Sequence, residues 1–228
     1  MTAAPGDRPG VARTRVDERL RRYLDELYRW NRRVNLTAVP PEEAETRHIG
    51  EARGLLTQAA PPPGARVVDV GAGGGVPGLV MAILRPDLEV TLIDADRRKA
   101  GFLLHAAALC DCPRVVVLPR RAEDVGRDPD HRAAHDLAVS RATAPAAVLC
   151  ELALPLLRIG GRLLALVGDA GADADVAAVA AASCGGGIPA AVGPGMLSVT
   201  KLAATPERYP RPAGVPARRP LGPSIPRA

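Results

Sequence analysis

Residues 67–78 read V-V-D-V-G-A-G-G-G-V-P-G, an apolar strand that enters a glycine-rich turn and then an apolar helix. A strand joined to a helix in this way is the first unit of a parallel α/β sheet. Glycines permit left-handed backbone and close approach of a ligand, and we expect bare N–H groups of the turn to point at that ligand. The turn therefore predicts a nucleotide-like ligand against Gly71 and Gly73.

The next strand, L-E-V-T-L-I-D, ends in Asp94, 23 residues after Gly71. A carboxylate at the end of this second strand is placed to accept hydrogen bonds from both hydroxyls of a ribose. The two features together predict a cofactor that contains adenosine.

Strand and helix patterns alternate after the break at 61–64, which reads P-P-P-G. This alternation predicts a doubly wound, mostly parallel sheet over residues 65–206, closed by a hairpin. The predicted strands are 66–70, 89–94, 114–118, 135–139, 161–167 and a terminal hairpin with 197–203, and the helices between them are 77–84, 97–110, 145–157 and 172–183.

The chain on either side of this domain has a different character. We expect residues 1–15 to be disordered and 16–64 to form a helical extension, with an amphipathic first helix and a second helix over 41–58. Residues 207–228 form a basic, proline-rich tail. No apolar run is long enough for a membrane span and no signal peptide is evident, so we expect a cytoplasmic protein.

The net charge of +5 is concentrated at the two ends of the chain. Residues 1–33 and 207–228 each carry +4, which leaves −3 for the residues between them. This distribution indicates a polyanionic partner, and arginine enrichment from a GC-rich genome is the alternative. We expect loss of the tail to weaken RNA binding and to leave cofactor affinity nearly unchanged. The four cysteines have no C-x-x-C spacing and no metal site is expected.

Two classes of cofactor enzyme use such a sheet, and residues 73–78 also fit the dinucleotide pattern G-x-G-x-x-G. Three observations favour S-adenosylmethionine instead: Asp69 lies inside the first strand, Pro77 occupies the turn, and R-A-E-D follows the third strand at 121–124. A dehydrogenase would also need a substrate domain with a proton-relay histidine or lysine. The only histidines after residue 110 are His131 and His135, both in a polar segment.

Seven ordered segments make the chain resemble the RsmG (GidB) family, the 16S ribosomal RNA guanine-N7 methyltransferases. They are W-N-R-R-V-N-L-T-A at 30–38, R-H-I at 47–49, the turn at 68–78, R-P-D-L-E-V-T-L-I-D at 85–94, R-A-E at 121–123, S-R-A at 140–142 and the tail motif at 203–221. The resemblance implies the seven-stranded class I S-adenosylmethionine-dependent methyltransferase fold. It also implies cofactor contacts at Gly71, Val76, Ala122, Glu123 and Arg141, and 16S rRNA in the small ribosomal subunit as substrate.

Arg141 ends the fourth strand, where a doubly wound sheet presents ligand-contacting side chains, so we predict that it is catalytic. An arginine that only pairs with Asp69 or Glu123 to fix loop geometry is the alternative. The resemblance places His48 at the mouth of the site, and we predict that His48, Arg211 and Arg218 bind substrate. For His48, a structural residue beside Ile49 with satisfied hydrogen bonds is the alternative. Family members usually carry a lysine where this chain has Val167, and an Asp-Ser pair where it has Glu51 and Ala52.

Guanine N7 carries an in-plane lone pair, so its methylation requires no general base, which agrees with the absence of an obvious nucleophile. A diverged methyltransferase acting on another RNA or on a small nitrogen heterocycle is the alternative function. A ribosome-associated binding protein without activity is a third reading, which the intact glycine turn disfavours. We expect the protein to act as a monomer without a metal.

Overall fold

The first helix precedes the sheet and packs onto it. The computed structural model describes residues 9–141 and 143–222. Helix α1 spans Pro9–Asn31, so the chain is helical from residue 9, earlier than the predicted boundary at 16, and residues 1–8 lie outside the described part. Leu20, Tyr23 and Leu27 form the buried stripe of α1, as the spacing predicts. The Tyr23 hydroxyl donates to the Gly74 carbonyl oxygen at 2.6 Å, which ties α1 to the glycine turn.

The predicted helix over 41–58 forms as three successive segments. A 3-10 turn at Pro41–Glu43 leads into a π-helical turn at Glu45–Gly50 and then into α2, Glu51–Ala59. The chain leaves α2 through the left-handed residue Ala60. The wider π-helical turn carries the buried residue His48, and such turns frequently occur at functional sites.

Seven strands form one sheet in the order β3-β2-β1-β4-β5-β7-β6. The strands are β1 Arg66–Val70, β2 Glu89–Ile93, β3 Val115–Leu118, β4 His135–Arg141, β5 Leu157–Leu166, β6 Ala190–Gly193 and β7 Met196–Thr200. Strands β1 to β5 pair in parallel, and β7 runs antiparallel to both β5 and β6. The sheet is therefore doubly wound and mostly parallel, which confirms the predicted fold class.

Helices cover both faces of this sheet. They are α3 Gly78–Leu84, α4 Arg97–Leu109, α5 Ala122–Val125, α6 Ala146–Ala153, α7 Ala170–Ser183 and α8 Val215–Arg218. Successive residues of β1 point to opposite faces: Val67 joins the core beneath α1 to α4, and Val68 joins the core beneath α6 and α7. Strands buried on both faces explain the continuous apolar runs in the sequence.

Some bounds differ from the predicted ones. Strand β5 begins at Leu157, four residues before the predicted start, and the helix predicted over 145–157 ends earlier, as α6. The basic, proline-rich tail contains the short helix α8, which was not predicted. Within residues 9–141 and 143–222, no helix is both long and apolar enough to cross a membrane.

Candidate active site

A cleft opens where the strand order reverses, at the carboxyl ends of β1 and β4. Connections from these adjacent strands leave in opposite directions, and ligands of open α/β sheets bind at this crevice. The cleft has a volume of about 1130 Å³. All of the predicted cofactor positions line it, namely Gly71, Gly73, Val76, Asp94, Ala122, Glu123 and Arg141. The topology therefore gathers residues that are up to 70 positions apart in the chain.

The expectation that the glycine turn offers bare N–H groups is wrong for most of its donors. Gly71 and Ala72 both donate to the Ile93 carbonyl oxygen at 2.9 Å, and Gly75 donates to the Ala72 carbonyl oxygen at 2.7 Å. The Gly73 N–H donates to Asp94 Oδ2 at 2.8 Å. The turn is thus held by the end of β2 and does not present these N–H groups to a ligand.

A second carboxylate holds the far side of the turn. The Gly78 N–H, at the start of α3, donates to Asp69 Oδ2 at 2.8 Å. Asp69 is fully buried, its Oδ1 has no hydrogen-bond partner among the described residues, and burial raises the pKa of its carboxyl group to about 7. A Cβ atom at Gly78 would lie 2.6 Å from the Asp69 Cβ, so only glycine permits this packing.

Glycine is required at position 71 because the Thr143 side chain occupies the space that a Cβ atom would need. The Gly71 backbone is left-handed, with φ of 76°, and a Cβ atom there would lie 2.1 Å from Thr143 Cγ2. The Thr143 hydroxyl lies 3.2 Å from the Val70 carbonyl oxygen and 3.3 Å from the Gly71 carbonyl oxygen. Thr143 therefore joins the loop after β4 to the end of β1, and this role was not predicted from the sequence.

Asp94 and Glu123 each have structural partners at the edge of the cleft. Asp94 accepts from the Asp96 N–H through Oδ1 and from the Gly73 N–H through Oδ2, both at 2.8 Å. Glu123 Oε1 accepts from the Gly214 N–H at 2.8 Å, and its side chain is almost wholly buried. Each carboxylate oxygen has a further lone pair, so both residues keep acceptor capacity towards the cleft.

These contacts discriminate between the two cofactor classes. A pyrophosphate needs free N–H donors and a positive field at the turn. Here the N–H donors of Gly73 and Gly78 are already bound by Asp94 and Asp69, so they are not free to bind an anion. S-adenosylmethionine carries no phosphate and has a positive sulfonium, so the residues present fit it and do not fit a dinucleotide.

Arg141 is fixed by two acceptors on the helical extension. Its Nη1 donates to His48 Nδ1 at 2.9 Å and to Glu51 Oε2 at 3.0 Å. The Arg141 side chain is 19% exposed and lines the cleft, as does Glu51. The loop-fixing role weighed for Arg141 is therefore present, but through His48 and Glu51, since its Nη1 contacts neither Asp69 nor Glu123.

His48 is fully buried and does not itself line the cleft. Burial, assisted by the Arg141 charge, lowers the pKa of His48 to about 4, so the ring is neutral near pH 7. Because Nδ1 accepts from Arg141, Nε2 carries the proton and donates to Thr37 Oγ1 at 3.2 Å. In this structure His48 supports Arg141, and direct contact with substrate stays a prediction.

Asn31 shapes the wall of the cleft that faces Arg141. Its Oδ1 accepts from the N–H groups of Leu36 and Thr37, and its Nδ2 donates to the Thr37 carbonyl oxygen at 2.9 Å. These bonds fold the chain after α1 so that residues 36–39 line the cleft. The extension is thus part of the site, and Asn31 crosslinks this junction.

The two predicted substrate-binding arginines of the tail lie in different settings. Arg211 forms an ion pair with the buried Glu151, with Nη2 to Oε2 at 2.6 Å. Arg218 is exposed at the end of α8, beside Ala217, which lines the cleft. Substrate contact by either arginine stays a prediction.

The basic residues of the cleft were mostly missed from the sequence. Besides Arg141, the cations that line it are Arg47, Lys99, Arg120 and Arg121. Their positions just after β2 and β3 and in the extension were the available signal. Val167 lines the cleft as well. The cleft therefore carries acidic side chains, Asp94 and Glu123 among them, together with these four basic residues, which we call the basic rim.

The cysteines lie in the packed core. Cys110, Cys112, Cys150 and Cys184 are free and buried, and burial raises the pKa of the Cys150 thiol to about 12. No group of three or more metal-ligating side chains occurs in the described part of the chain.

The fold and the cleft together define the class of protein. The sheet is doubly wound with an antiparallel β7, and the cleft suits a cationic adenosine cofactor. These features define a class I S-adenosylmethionine-dependent methyltransferase.

Comparison with known proteins identifies the family. The model of the GidB family, described as rRNA small subunit methyltransferase G, matches residues 16–192. A relative from Roseiflexus castenholzii is 44% identical over 215 residues, which cover 90% of this chain and 91% of the relative. One from Chloroflexus aggregans is 43% identical, covering 88% of each chain. Both are named ribosomal RNA small subunit methyltransferase G.

The chain therefore belongs to the GidB family, which confirms the resemblance seen in the motifs. It is a methyltransferase that uses S-adenosylmethionine. The alternatives of a dinucleotide enzyme and of a methyltransferase for small heterocycles are not favoured by these relatives.

Proposed function

We propose that this protein methylates N7 of a guanine in the decoding-centre loop of 16S rRNA, with Arg141 orienting the reacting partners. The observation that carries the proposal is the cleft itself, which has the acidic side chain of Asp94 at the end of β2 and an arginine held by two acceptors at the end of β4. Family membership supplies the class of acceptor, since the relatives are named for small-subunit rRNA.

We place the cofactor site at the glycine turn, at the carboxyl ends of β2 and β3, and at the end of β4. We assign Gly71, Gly73, Val76, Asp94, Ala122, Glu123 and Arg141 to it because they share one cleft. Asp94 is placed to accept from the ribose hydroxyls with its remaining lone pairs. When bound, S-adenosylmethionine supplies an electrophilic methyl group on a sulfonium.

The chemistry asked of the protein side chains is orientation. Guanine N7 has a lone pair in the plane of the base, so no proton has to be removed before attack. The described cleft agrees with this requirement, since His48 is held neutral by burial with Nδ1 occupied by Arg141, and the Cys150 thiol is buried in the core. Correct alignment alone can supply several kcal/mol of the barrier, about 7 or more in the best cases.

Arg141 has the geometry to align guanine. Its Nη1 is engaged by His48 and Glu51, which fixes the plane of the guanidinium and leaves its other N–H donors for a ligand. Guanine presents O6 beside N7, and arginine donors commonly recognise that edge. A hydrogen bond to O6 would hold the base while N7 stays free to react.

The basic rim is suited to the phosphates around the target base. Arg47, Lys99, Arg120 and Arg121 line the cleft, and the exposed Arg218 stands next to it. Neutralised phosphates release counterions, so affinity should fall as salt rises. We infer that the partner is the small ribosomal subunit, that the protein acts in the cytoplasm, and that one copy of the chain suffices.

Methyl transfer to separate acceptors tests the proposal. The protein is incubated with methyl-labelled S-adenosylmethionine and small ribosomal subunits, naked 16S rRNA, tRNA or no acceptor. We expect label in 16S rRNA alone. Borohydride and aniline treatment should then cut the strand at a single guanine of the decoding-centre loop, because N7 methylation makes that position labile. Light scattering on a sizing column reports whether the active species is a monomer.

Each result has a distinct meaning. Label in 16S rRNA without scission at a guanine would overturn N7 as the acceptor atom. Label in tRNA alone would overturn 16S rRNA as the substrate. Binding of S-adenosylmethionine can be measured without any acceptor, so the cofactor assignment is tested separately.

A further inference from the structure

The segment after β7 folds back across the domain towards the cofactor cleft. Arg132 holds its first part, since Nη2 donates to the Thr205 carbonyl oxygen at 2.8 Å and Nη1 to the Tyr209 carbonyl oxygen at 2.9 Å. Tyr209 is buried in the core beneath α6 and α7. Pro210 lies against α5, where a Cβ atom at Gly126 would approach it to 3.0 Å. Residues 205–210 are therefore packed against the domain.

A buried ion pair anchors the next part of this segment. Glu151 lies on α6 and is fully buried. Arg211 donates to it from Nε and from the backbone N–H to Oε1, at 2.9 and 2.8 Å, and from Nη2 to Oε2 at 2.6 Å. Nη2 also donates to the Arg219 carbonyl oxygen at 2.7 Å, which closes the loop 211–219 on itself. A buried carboxylate requires such a partner, so the anchor is strong.

The anchored loop reaches the cofactor cleft at two points. The Gly214 N–H donates to Glu123 Oε1 at 2.8 Å. Ala217, in α8, lines the cleft itself. The backbone at Gly214 is left-handed, with φ of 78°, and turns the chain between the anchor and α8. The position of Glu123 is therefore tied to residues of the tail, which lie about 90 positions later in the sequence.

We propose that Arg211 is a positioning residue for the cofactor: by holding the loop 211–219 on Glu151, it brings the Gly214 N–H to Glu123 and Ala217 to the cleft wall. This inference rests on the proposed function, which assigns Glu123 to the cofactor. It departs from the expectation that the tail serves RNA alone. Removing the anchor releases the loop, so Glu123 loses its donor and the cleft loses one wall.

Hydrogen exchange of the full-length protein tests this coupling without any substitution. Linkage is reciprocal, so a cofactor that is favoured by the docked loop must in turn stabilise that loop. The probe is S-adenosylhomocysteine, which binds without reacting. We expect it to slow exchange both in peptides covering 67–78 and in peptides covering 205–219. Protection of the glycine turn without protection of the loop would overturn the inference, whereas protection of neither would overturn the cofactor site itself.

Three variants then separate cofactor positioning from RNA binding. Arg211→Ala should weaken binding of S-adenosylmethionine, measured by calorimetry without RNA, by about tenfold or more. Arg211→Lys keeps the charge and loses the two-pronged geometry, so its loss should be intermediate. Arg208→Ala is the matched control, because Arg208 lies in the same segment and is exposed, with its guanidinium over the Tyr209 ring. It should bind S-adenosylmethionine within about twofold of the wild type.

The opposite pattern would overturn the inference. If Arg211→Ala bound S-adenosylmethionine like the wild type while its RNA affinity depended less steeply on salt, Arg211 would be an RNA contact. If burying Glu151 without a partner prevents Arg211→Ala from folding, Glu151→Gln supplies the comparison. It keeps an acceptor for Arg211 and removes the charge, so weakened cofactor binding and faster exchange over 205–219 should occur together.

Discussion

Gly71 and Gly64 provide a matched pair for testing why the turn requires glycine. Both have φ of 76°. An added Cβ atom at Gly64 would meet nothing within 4 Å, whereas at Gly71 it would lie 2.1 Å from Thr143 Cγ2 and 2.7 Å from Thr143 Oγ1. Substitution of either glycine by alanine therefore introduces the same backbone strain, and only Gly71→Ala adds a collision.

The size of each effect follows from these contacts. An alanine in left-handed backbone costs about 1–2 kcal/mol, which both variants share. Overpacking costs roughly a further 1–3 kcal/mol, and only in Gly71→Ala. Because the Thr143 hydroxyl lies against the Val70 and Gly71 carbonyl oxygens, its displacement separates the ends of β1 and β4, which form the floor of the cleft.

Urea denaturation and calorimetric titration measure the two consequences. Gly64→Ala should lose about 1–2 kcal/mol of unfolding free energy and keep its affinity for S-adenosylmethionine. Gly71→Ala should lose about 2–5 kcal/mol and bind the cofactor at least about tenfold more weakly. Adding Thr143→Gly to Gly71→Ala should restore part of both. Equal stability losses in the two alanine variants, or unchanged cofactor affinity in Gly71→Ala, would refute the reasoning.

Four further substitutions probe the cleft. In the folded wild type Asp69 keeps its proton up to about pH 7, whereas in the unfolded chain it loses the proton near pH 4. The free energy of unfolding of the wild type, compared with that of Asp69→Asn, should therefore fall as pH rises from about 4 to 7. The fall should be at most about 4 kcal/mol, measured by urea denaturation. Arg141→Ala should lower single-turnover methyl transfer about 10²-fold at saturating cofactor; an unchanged rate would remove it from catalysis. Glu51→Gln should lower the same rate by less, because His48 still holds Arg141, and a loss as large as that of Arg141→Ala would contradict this. Val167→Lys adds a cation to the cleft and should raise turnover on small-subunit RNA; slower turnover would show that the position is not near phosphate.

Most of the fold could be predicted because the strands bury both faces. Short segments rich in Val, Leu and Ile marked β1, β2 and β4, and their alternation with helical segments implied a parallel sheet. The start of β5 was misplaced because the strand is irregular there: Gly160 is left-handed, with φ of 85°, and lies between Leu157 and Arg162, which both pair with β4. Pairing partners come from tertiary structure, which a local pattern does not contain.

The candidate site could be predicted where a residue's role follows from its position at a strand end. Asp94 follows β2 and Arg141 ends β4, and parallel strands bring those ends to one edge of the sheet. The expectation of bare N–H groups in the glycine turn was wrong because Asp94 and Asp69 accept hydrogen bonds from the turn. The same hydrogen bonds make the site compact. Spacing along the chain does not reveal which acceptor a loop donor will find.

Glu151 could have indicated from the sequence that the tail docks against the domain. It is the only charged residue in the apolar helix α6, A-A-V-L-C-E-L-A, and no basic residue lies within four positions of it. A carboxylate on a buried helix must be paired or lose its charge, so a distant cation was required. Arg211 supplies that cation, and the prolines around it restrict the unfolded chain and lower the entropy lost when the tail docks. Proline-rich composition alone does not show whether the tail docks, but a buried acid without a basic residue nearby in the sequence predicts that a distant basic segment docks against it.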